Sequence, residues 1–242
     1  MSRVFGEVAA IYDDVRPGYP EAVRRAIVEF AGGPPSTVAD LGAGTGKATE
    51  VLVGFGAPVT AVEPDPRMAA VLRAKFPAVE VVVATFEEWA PPATGFGLLA
   101  CATAWHWMEP ATRNRRAFDA LAPGGTLAVL SHTYDYAETA EGTAIYDFLA
   151  GVDPDVEPRD EHWALADVTG SGVWPQTRER IWHTYPTFSK ARYLALMQTF
   201  SPFRRHPPEL RQRTLDGLGA LVDDFGGEVT LDLATTMTLA RR

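Results

Sequence analysis

Three glycines in five residues, Gly42-Ala43-Gly44-Thr45-Gly46, stand between a short apolar run, Val38 to Leu41, and a helical pattern that opens near Lys47. No other feature restricts the fold of this chain as strongly. Glycine lets the backbone turn sharply off a strand and lets a ligand approach closely. The helix that follows offers free N–H groups in its first turn. A strand–glycine–helix unit of this kind belongs in an open parallel sheet, where ligands bind at the carboxyl ends of strands near the switch in strand order.

The pattern on either side agrees. Glu21 to Phe30 reads as a helix, with Val23, Ala26, Ile27 and Phe30 on one face, and Gly32-Gly33-Pro34-Pro35 stops it. Lys47 to Phe55 reads as a helix and Val59 to Val62 as a second strand. Asp65-Pro66 starts another helix with proline at its first position. Strands follow at Val79–Val83 and Gly97–Thr103, then a helix from Arg113 to Leu121, a turn at Pro123-Gly124-Gly125, and a fifth strand from Thr126 to Leu130. Apolar strands alternating with helices indicate βαβ units and a parallel sheet covered on both faces.

The regularity fails at both ends of this core. The first twenty residues read as irregular and aromatic, since Pro17 and Pro20 rule out a helix interior at Arg16-Pro17-Gly18-Tyr19-Pro20. Between Tyr134 and Asp167 ten acidic residues face one arginine, Arg159, which reads as a solvated insert, helical near Thr143 to Leu149. It is either a cap over a site or a plain surface excursion. Beyond it, Glu179 to Tyr185 reads as a strand, and Ser189 to Phe200 and Pro208 to Val222 as helices. Val229, Leu231, Leu233, Met237 and Leu239 share one parity, so the end of the chain reads as a strand with one buried face.

Composition narrows the partners. With a formal net charge of -9 a nucleic-acid backbone is not the default partner, and a small molecule is favoured. The single cysteine, Cys101, allows no internal disulfide and reads as a small buried hydrophobe. No run of about 18 apolar residues is present, and Met1 to Gly6 has no leader-like apolar stretch. The expectation is a cytoplasmic protein, monomeric or homodimeric, without a membrane partner.

Three kinds of cofactor compete for the glycine loop. A P-loop needs glycine five residues before its Gly-Lys pair and Ser or Thr after it, and Leu41 and Ala48 stand there instead. A dinucleotide fingerprint, G-x-G-x-x-G, would put its third glycine at Lys47, and Gly46 comes one residue early. The segment Val38-Ala39-Asp40-Leu41-Gly42-Ala43-Gly44-Thr45-Gly46 resembles the first motif of the class I S-adenosylmethionine-dependent methyltransferases. The resemblance implies a Rossmann-like, doubly wound, mostly parallel seven-stranded α/β sheet, with an antiparallel C-terminal strand and a helical insert after strand five. It implies one domain over 1–242. Residues 1–36 would cover the cofactor, 37–132 bind it, 133–177 form the acidic insert or cap, and 178–242 supply C-terminal strands and helices.

The same resemblance implies site residues. The loop residues Asp40, Gly42, Ala43 and Gly44 would pack against the amino-acid part of S-adenosylmethionine. Glu63 ends the second strand, 21 positions after Gly42, where an acid accepts hydrogen bonds from ribose hydroxyls; nicotinamide proteins share this feature, and Asp65 is the better helix cap. Pro64 and Met68 continue the match. After the third strand, Thr85 and Phe86 would lie by the adenine. After the fourth, Ala104-Trp105-His106-Trp107 resembles the family's segment near the donor methyl, with Trp105 and His106 as cavity walls. Tyr12, Arg16 and Tyr19 resemble the N-terminal segment of the small-molecule subgroup near the ubiquinone and trans-aconitate methyltransferases, where it folds over the cofactor and its carboxylate.

The implied enzyme is a methyltransferase that moves a methyl group to an O, N or C atom of a small molecule, with S-adenosylhomocysteine as product. If a base is needed, His106 is the candidate and His132 the second. No residue spacing suggests a metal site. An NAD(P)-dependent oxidoreductase and a non-catalytic S-adenosylmethionine-binding module stand as alternatives.

Overall fold

A computed structural model gives the structure of the protein and describes residues 9–153 and 160–242. Met1 to Gly6, the start of the family-like segment and Arg159 of the acidic insert lie outside the described residues. The elements in chain order are α1 (Ala9–Val15), α2 (Ala22–Ala31), β1 (Val38–Leu41), α3 (Thr49–Leu52), β2 (Val59–Val62), α4 (Pro66–Lys75), β3 (Glu80–Val82), β4 (Phe96–Ala102), α5 (Arg113–Ala120), β5 (Leu121–Tyr136), α6 (Ala140–Val152), α7 (Trp163–Gly170), β6 (Gln176–Thr184), β7 (Thr187–Ser189), α8 (Lys190–Met197), α9 (Ser201–Arg205), α10 (Pro208–Asp224) and β8 (Glu228–Arg241).

One sheet runs in the order β3-β2-β1-β4-β5-β8-β6, with β7 pairing β8 at its start. The first five strands are parallel, with Val38 of β1 opposite both Val59 of β2 and Leu98 of β4. β8 runs antiparallel to β5 and β6. The chain winds outward from β1 to β3 and then returns to place β4 on the other side of β1. The switch in strand order therefore falls between β1 and β4, directly beside the glycine loop.

Burial follows the doubly wound plan. Leu98 and Leu99 are neighbours in β4 and both are fully buried, but Leu98 packs with Ile27, Phe30 and Leu52 while Leu99 packs with Trp105, Leu127 and Trp174. Alternate side chains of one strand thus enter two cores, each such leucine contributing roughly 1.5–3 kcal/mol. A third core lies beyond the sheet's upper end, where Ile145 of α6, Tyr193 and Leu196 of α8, and Leu218 and Val222 of α10 close on Val229 and Leu231 of β8. Cys101 is buried and unbridged, and burial pushes its thiol well up.

Several expectations change. The sheet has eight strands, because the short β7 sets Phe188 against Val229 and buries it. The irregular N-terminus contains α1, which ends at Val15, two residues before Pro17 forbids its continuation. β5 is far longer than Thr126–Leu130: it begins at Leu121, loops out over Pro123-Gly124-Gly125 so that Phe96 faces Leu121 but Leu98 faces Thr126, and continues to Tyr136. The insert holds a full helix, α6, and ends in α7. β8 buries one face only up to Asp232; from Leu233 to Ala240 both faces are buried, and Ala234, Thr236, Thr238 and Ala240 occupy the second. A strand lying between two others under helices on both sides needs small side chains on its tighter face, a constraint that parity counting of large apolar residues does not register.

Candidate functional site

A cavity of about 690 Å³ opens at the carboxyl ends of β1, β4 and β5 and runs under α6, α8 and α9. Its floor begins at the glycine loop. Gly42, Gly44 and Gly46 all have positive φ, at 66°, 58° and 88°, so the chain leaves β1 in a left-handed turn that only glycine adopts at low cost. The two later glycines have different reasons to lack a side chain. A Cβ on Gly44 would lie 3.5 Å from the Met68 methyl, an ordinary contact, whereas one on Gly46 would lie 2.7 Å from the Phe76 ring. Gly44 faces the cavity and Gly46 packs against α4.

Glu63, at the end of β2, closes the loop from the opposite side. Its Oε2 accepts the Gly44 N–H at 2.8 Å and its Oε1 the Asp65 N–H at 2.8 Å. The carboxylate lines the cavity, and burial raises its pKa against those two amide bonds. Asp65 is the cap of α4, accepting the Arg67 N–H at 2.9 Å. Asp40 lies beneath the loop instead of on the cavity wall. It is fully buried, Thr49 Oγ1 donates to its Oδ2 at 2.6 Å, and its Oδ1 has no partner. Burial pushes its pKa up to about 7.

The end of β4 supplies a second wall. Thr103, at φ 55°, is the one non-glycine residue with positive φ among the described residues, and its hydroxyl meets the Tyr19 hydroxyl at 2.8 Å. Tyr19 in turn stacks on His132, with ring centroids 4.3 Å apart. His132 Nδ1 lies 3.1 Å from Thr235 Oγ1, and burial pulls the imidazole down to about 4, so it is neutral at pH 7. The 3-10 turn Trp105–Trp107 brings His106 and Trp107 onto the cavity wall, with Trp163 of α7 meeting His106 edge-on at 6.1 Å.

Pro64, Met68 and Ala104 also line the cavity, and Tyr19 and Ala43 line a small recess beside the loop. Trp105 does not wall the cavity. It is 1% exposed, packs on Phe86, and donates its indole N–H to Asp167 at 2.8 Å. Phe86 is core between Trp89 and Trp105, and the Thr85 hydroxyl is tied to Glu88 at 3.1 Å. Neither lines the cavity, because the chain after β3 folds its aromatics under α5. Among the described residues, no group of three His, Cys, Asp or Glu is gathered to hold a metal, and no helix is long and apolar enough to cross a membrane.

Residues 38–125 match the family model described as a methyltransferase domain. Over 136 residues the chain is 39% identical to an uncharacterized methyltransferase of Mycobacterium tuberculosis, a stretch covering 56% of this chain and 54% of that protein. Over 128 residues it is 34% identical to a trans-aconitate 2-methyltransferase of Rhizobium meliloti, 49% of each. Residues 38–125 therefore carry the sequence pattern of a methyltransferase domain. The chain spans about half the length of the curated relatives it matches. Its fold extends further: a candidate type II methyltransferase from Anaeromyxobacter dehalogenans superposes with a TM-score of 0.68 at 22% identity, over 93% of this chain and 97% of that one. The phosphoethanolamine N-methyltransferase 2 of Haemonchus contortus, solved with S-adenosylhomocysteine and phosphomonomethylethanolamine, superposes at 0.56 and 13% identity over 98% of this chain and 57% of that one.

Elements outside residues 38–125 close over the rest of the cavity. Tyr12 and Arg16 enter from α1, Tyr134 and Tyr136 from the extension of β5, and Tyr193 and Phe200 from α8 and the link after it. The Tyr136 and Tyr193 hydroxyls meet at 2.8 Å. α7 is pinned to the domain through Asp167, which accepts from Trp105, from Asn114 at 3.0 Å, and from the Arg113 guanidinium. Sequence reasoning missed Thr103, Tyr134, Trp107 and the Asp167 hub. Of these Thr103 and Trp107 carried a local signal, one beside the named segment at the strand end and the other within it.

Proposed function

We propose that this chain binds S-adenosylmethionine against Gly42, Gly44, Glu63 and Met68, and moves its methyl group to an oxygen, nitrogen or carbon atom of a small molecule held under the cap. The observation that carries the reading is the pairing of the left-handed glycine loop with the Glu63 carboxylate at the mouth of a cavity of about 690 Å³, a volume typical of ligand sites. The donor set fits the group. Glu63 would offer carboxylate oxygens to ribose hydroxyls, Gly44 leaves room for close approach, and Asp40 braces the loop from beneath through Thr49.

When bound, the cofactor supplies a methyl group on a sulfonium that needs no further activation. The chain's own work is alignment, which supplies roughly 7–11 kcal/mol in well-oriented reactions. The loop and Glu63 fix the donor from below. Trp107 and Trp163 bound the space beside His106, and the aromatic walls favour a cation over water. His106 accepts the proton from an oxygen or nitrogen acceptor. The His132 ring is held by Tyr19 and Thr235 and serves to position the strand ends.

The relatives support this reading of the chain as a methyltransferase of small molecules, trans-aconitate being the acceptor named for one of them. The test is a melting curve with added cofactor. S-adenosylhomocysteine raises the melting temperature and NAD does not; an unchanged midpoint at saturating S-adenosylhomocysteine sinks the proposal.

A further inference from the structure

The cap contains a charge that the methyl-transfer chemistry does not use. Arg16 is 9% exposed and lines the cavity. Its Nε donates to Thr199 Oγ1 at 2.8 Å and its Nη2 to the Thr199 carbonyl at 3.0 Å. The guanidinium lies 4.1 Å from the Phe200 ring centroid, 5.2 Å from that of Tyr12 and 5.3 Å from that of Tyr134. Among the described residues no carboxylate pairs with it. The cavity-wall acids are engaged elsewhere: Glu63 with loop amides, Asp65 with Arg67, Asp153 with His206 at 2.8 Å, Asp160 with the His162 N–H and Asp135 with the Tyr136 N–H. Arg16 is also the sole arginine or lysine on the wall of the large cavity among the described residues.

A buried cation with only neutral partners is costly to hold. Here the tyrosine rings and hydroxyls keep it charged, and its pKa stays raised. The arrangement gains most from an anion that enters the cavity. A planar fork held on edge by Thr199 suits a planar oxyanion, which it meets with two parallel hydrogen bonds. The groups that fix the fork, Thr199, Phe200 and Tyr134, come from the cap side of the cavity, although Arg16 also borders the recess beside Gly42 and Gly44.

We propose that Arg16 is the recognition site for a carboxylate on the methyl acceptor, so that this enzyme acts on organic acids with an apolar or aromatic body. The proposal rests on the methyltransferase reading above. It assigns Arg16 to the acceptor in place of the cofactor carboxylate suggested by family resemblance. The apolar walls beside it, Phe200, Leu196 and Met197 among them, receive the body of the acid.

Calorimetric titration of the full chain tests this, using trans-cinnamate, phenylacetate and hexanoate, each against its own amide, with and without S-adenosylhomocysteine. The expected result is that at least one acid binds about tenfold more tightly than its amide. Arg16→Met removes that preference, Arg16→Lys keeps part of it, and the S-adenosylhomocysteine affinity changes less than about threefold in both. Thr199→Val, which retains the charge and loosens the fork, lowers the preference several-fold and serves if Arg16→Met does not fold. Two results overturn the proposal: no acid preferred over its amide by the wild type, or a preference that survives both Arg16→Met and Thr199→Val. A third is loss of S-adenosylhomocysteine affinity in Arg16→Met with methylthioadenosine affinity intact, which returns Arg16 to the cofactor carboxylate. If the wild type binds no S-adenosylhomocysteine but prefers acids through Arg16, the methyltransferase reading fails and the anion site stands.

Discussion

Two alanine substitutions, two residues apart in sequence, separate the packed part of the glycine loop from the part that faces the cavity. Gly44→Ala and Gly46→Ala each force a left-handed residue to carry a Cβ, at φ 58° and 88°, costing about 1–2 kcal/mol. At Gly44 little is added, since the new methyl meets only the flexible end of Met68 at 3.5 Å. At Gly46 the methyl sits 2.7 and 3.1 Å from Phe76 ring carbons and 3.3 Å from Leu72 Cγ, the latter on a fully buried residue. Overpacking of that kind adds about 1–3 kcal/mol. Gly46→Ala therefore loses about 2–5 kcal/mol against about 1–2 for Gly44→Ala, and at about 2–4 °C per kcal/mol for a chain of this size the melting temperatures separate clearly. Urea denaturation measures both. Phe76→Leu in the Gly46→Ala background restores part of the loss, and in the Gly44→Ala background restores none. Equal losses for the two alanines, or a larger one at Gly44, would refute the packing argument and make both glycines ligand-facing.

Asp167→Ala leaves the buried Arg113 guanidinium and the Trp105 indole without their acceptor and is expected to cost about 3–5 kcal/mol; thermal melts check it, and Arg113→Met in the same chain recovers part of the loss. Asp40 is a carboxyl raised to about 7, so the folded state holds its proton more tightly than the unfolded state, and stability falls as pH rises from about 4 to about 7, by on the order of 4 kcal/mol at most. His132, pulled down to about 4, has the opposite sign: the unfolded state binds the extra proton, and stability is lost as pH falls below the ordinary histidine value. The two slopes oppose each other in the wild type, so Asp40→Asn steepens the acid-side loss while His132→Gln makes stability fall monotonically with rising pH; urea midpoints at half-unit pH steps that move in parallel in all three proteins contradict the assignment.

How far each feature was legible tracks how far apart in sequence its partners lie. The glycine loop and Glu63 are 19 residues apart at their hydrogen bond, and both belong to one strand–helix–strand unit whose turns are set by glycine and by Pro66 after its Asp65 cap. Their relation could be read from spacing alone. Asp40 was also legible as part of the loop, but not its place beneath it, because nothing local says that Thr49 turns back to hold its carboxylate. Trp105 and Phe86 misled for a related reason: a large aromatic after a strand packs equally well into a ligand wall or into the layer below, and the choice is made by Asp167, 62 positions later, which draws the indole inward.

The cap carries this dependence to its limit. Arg16 is fixed by Thr199 across 183 residues, and the two meet only because β8 inserts between β5 and β6 and aims β5 six residues past its expected end, to Tyr136. Along that extension His132, Tyr134 and Tyr136 alternate with Thr133 and Asp135 in a pattern that reads as an ordinary polar strand end. Their shared destination emerges only when α8 and the link after it lay Tyr193 and Phe200 over them. The donor site proposed above depends on groups that one βαβ unit can place, so a short motif suffices for it. The acceptor site proposed above depends on side chains gathered from α1, β5, α8 and the link after α8, each of which is equally consistent with plain core. The one cation of that set is Arg16, which no carboxylate pairs among the described residues, and under the proposal above the acceptor's chemistry is to be sought at its guanidinium.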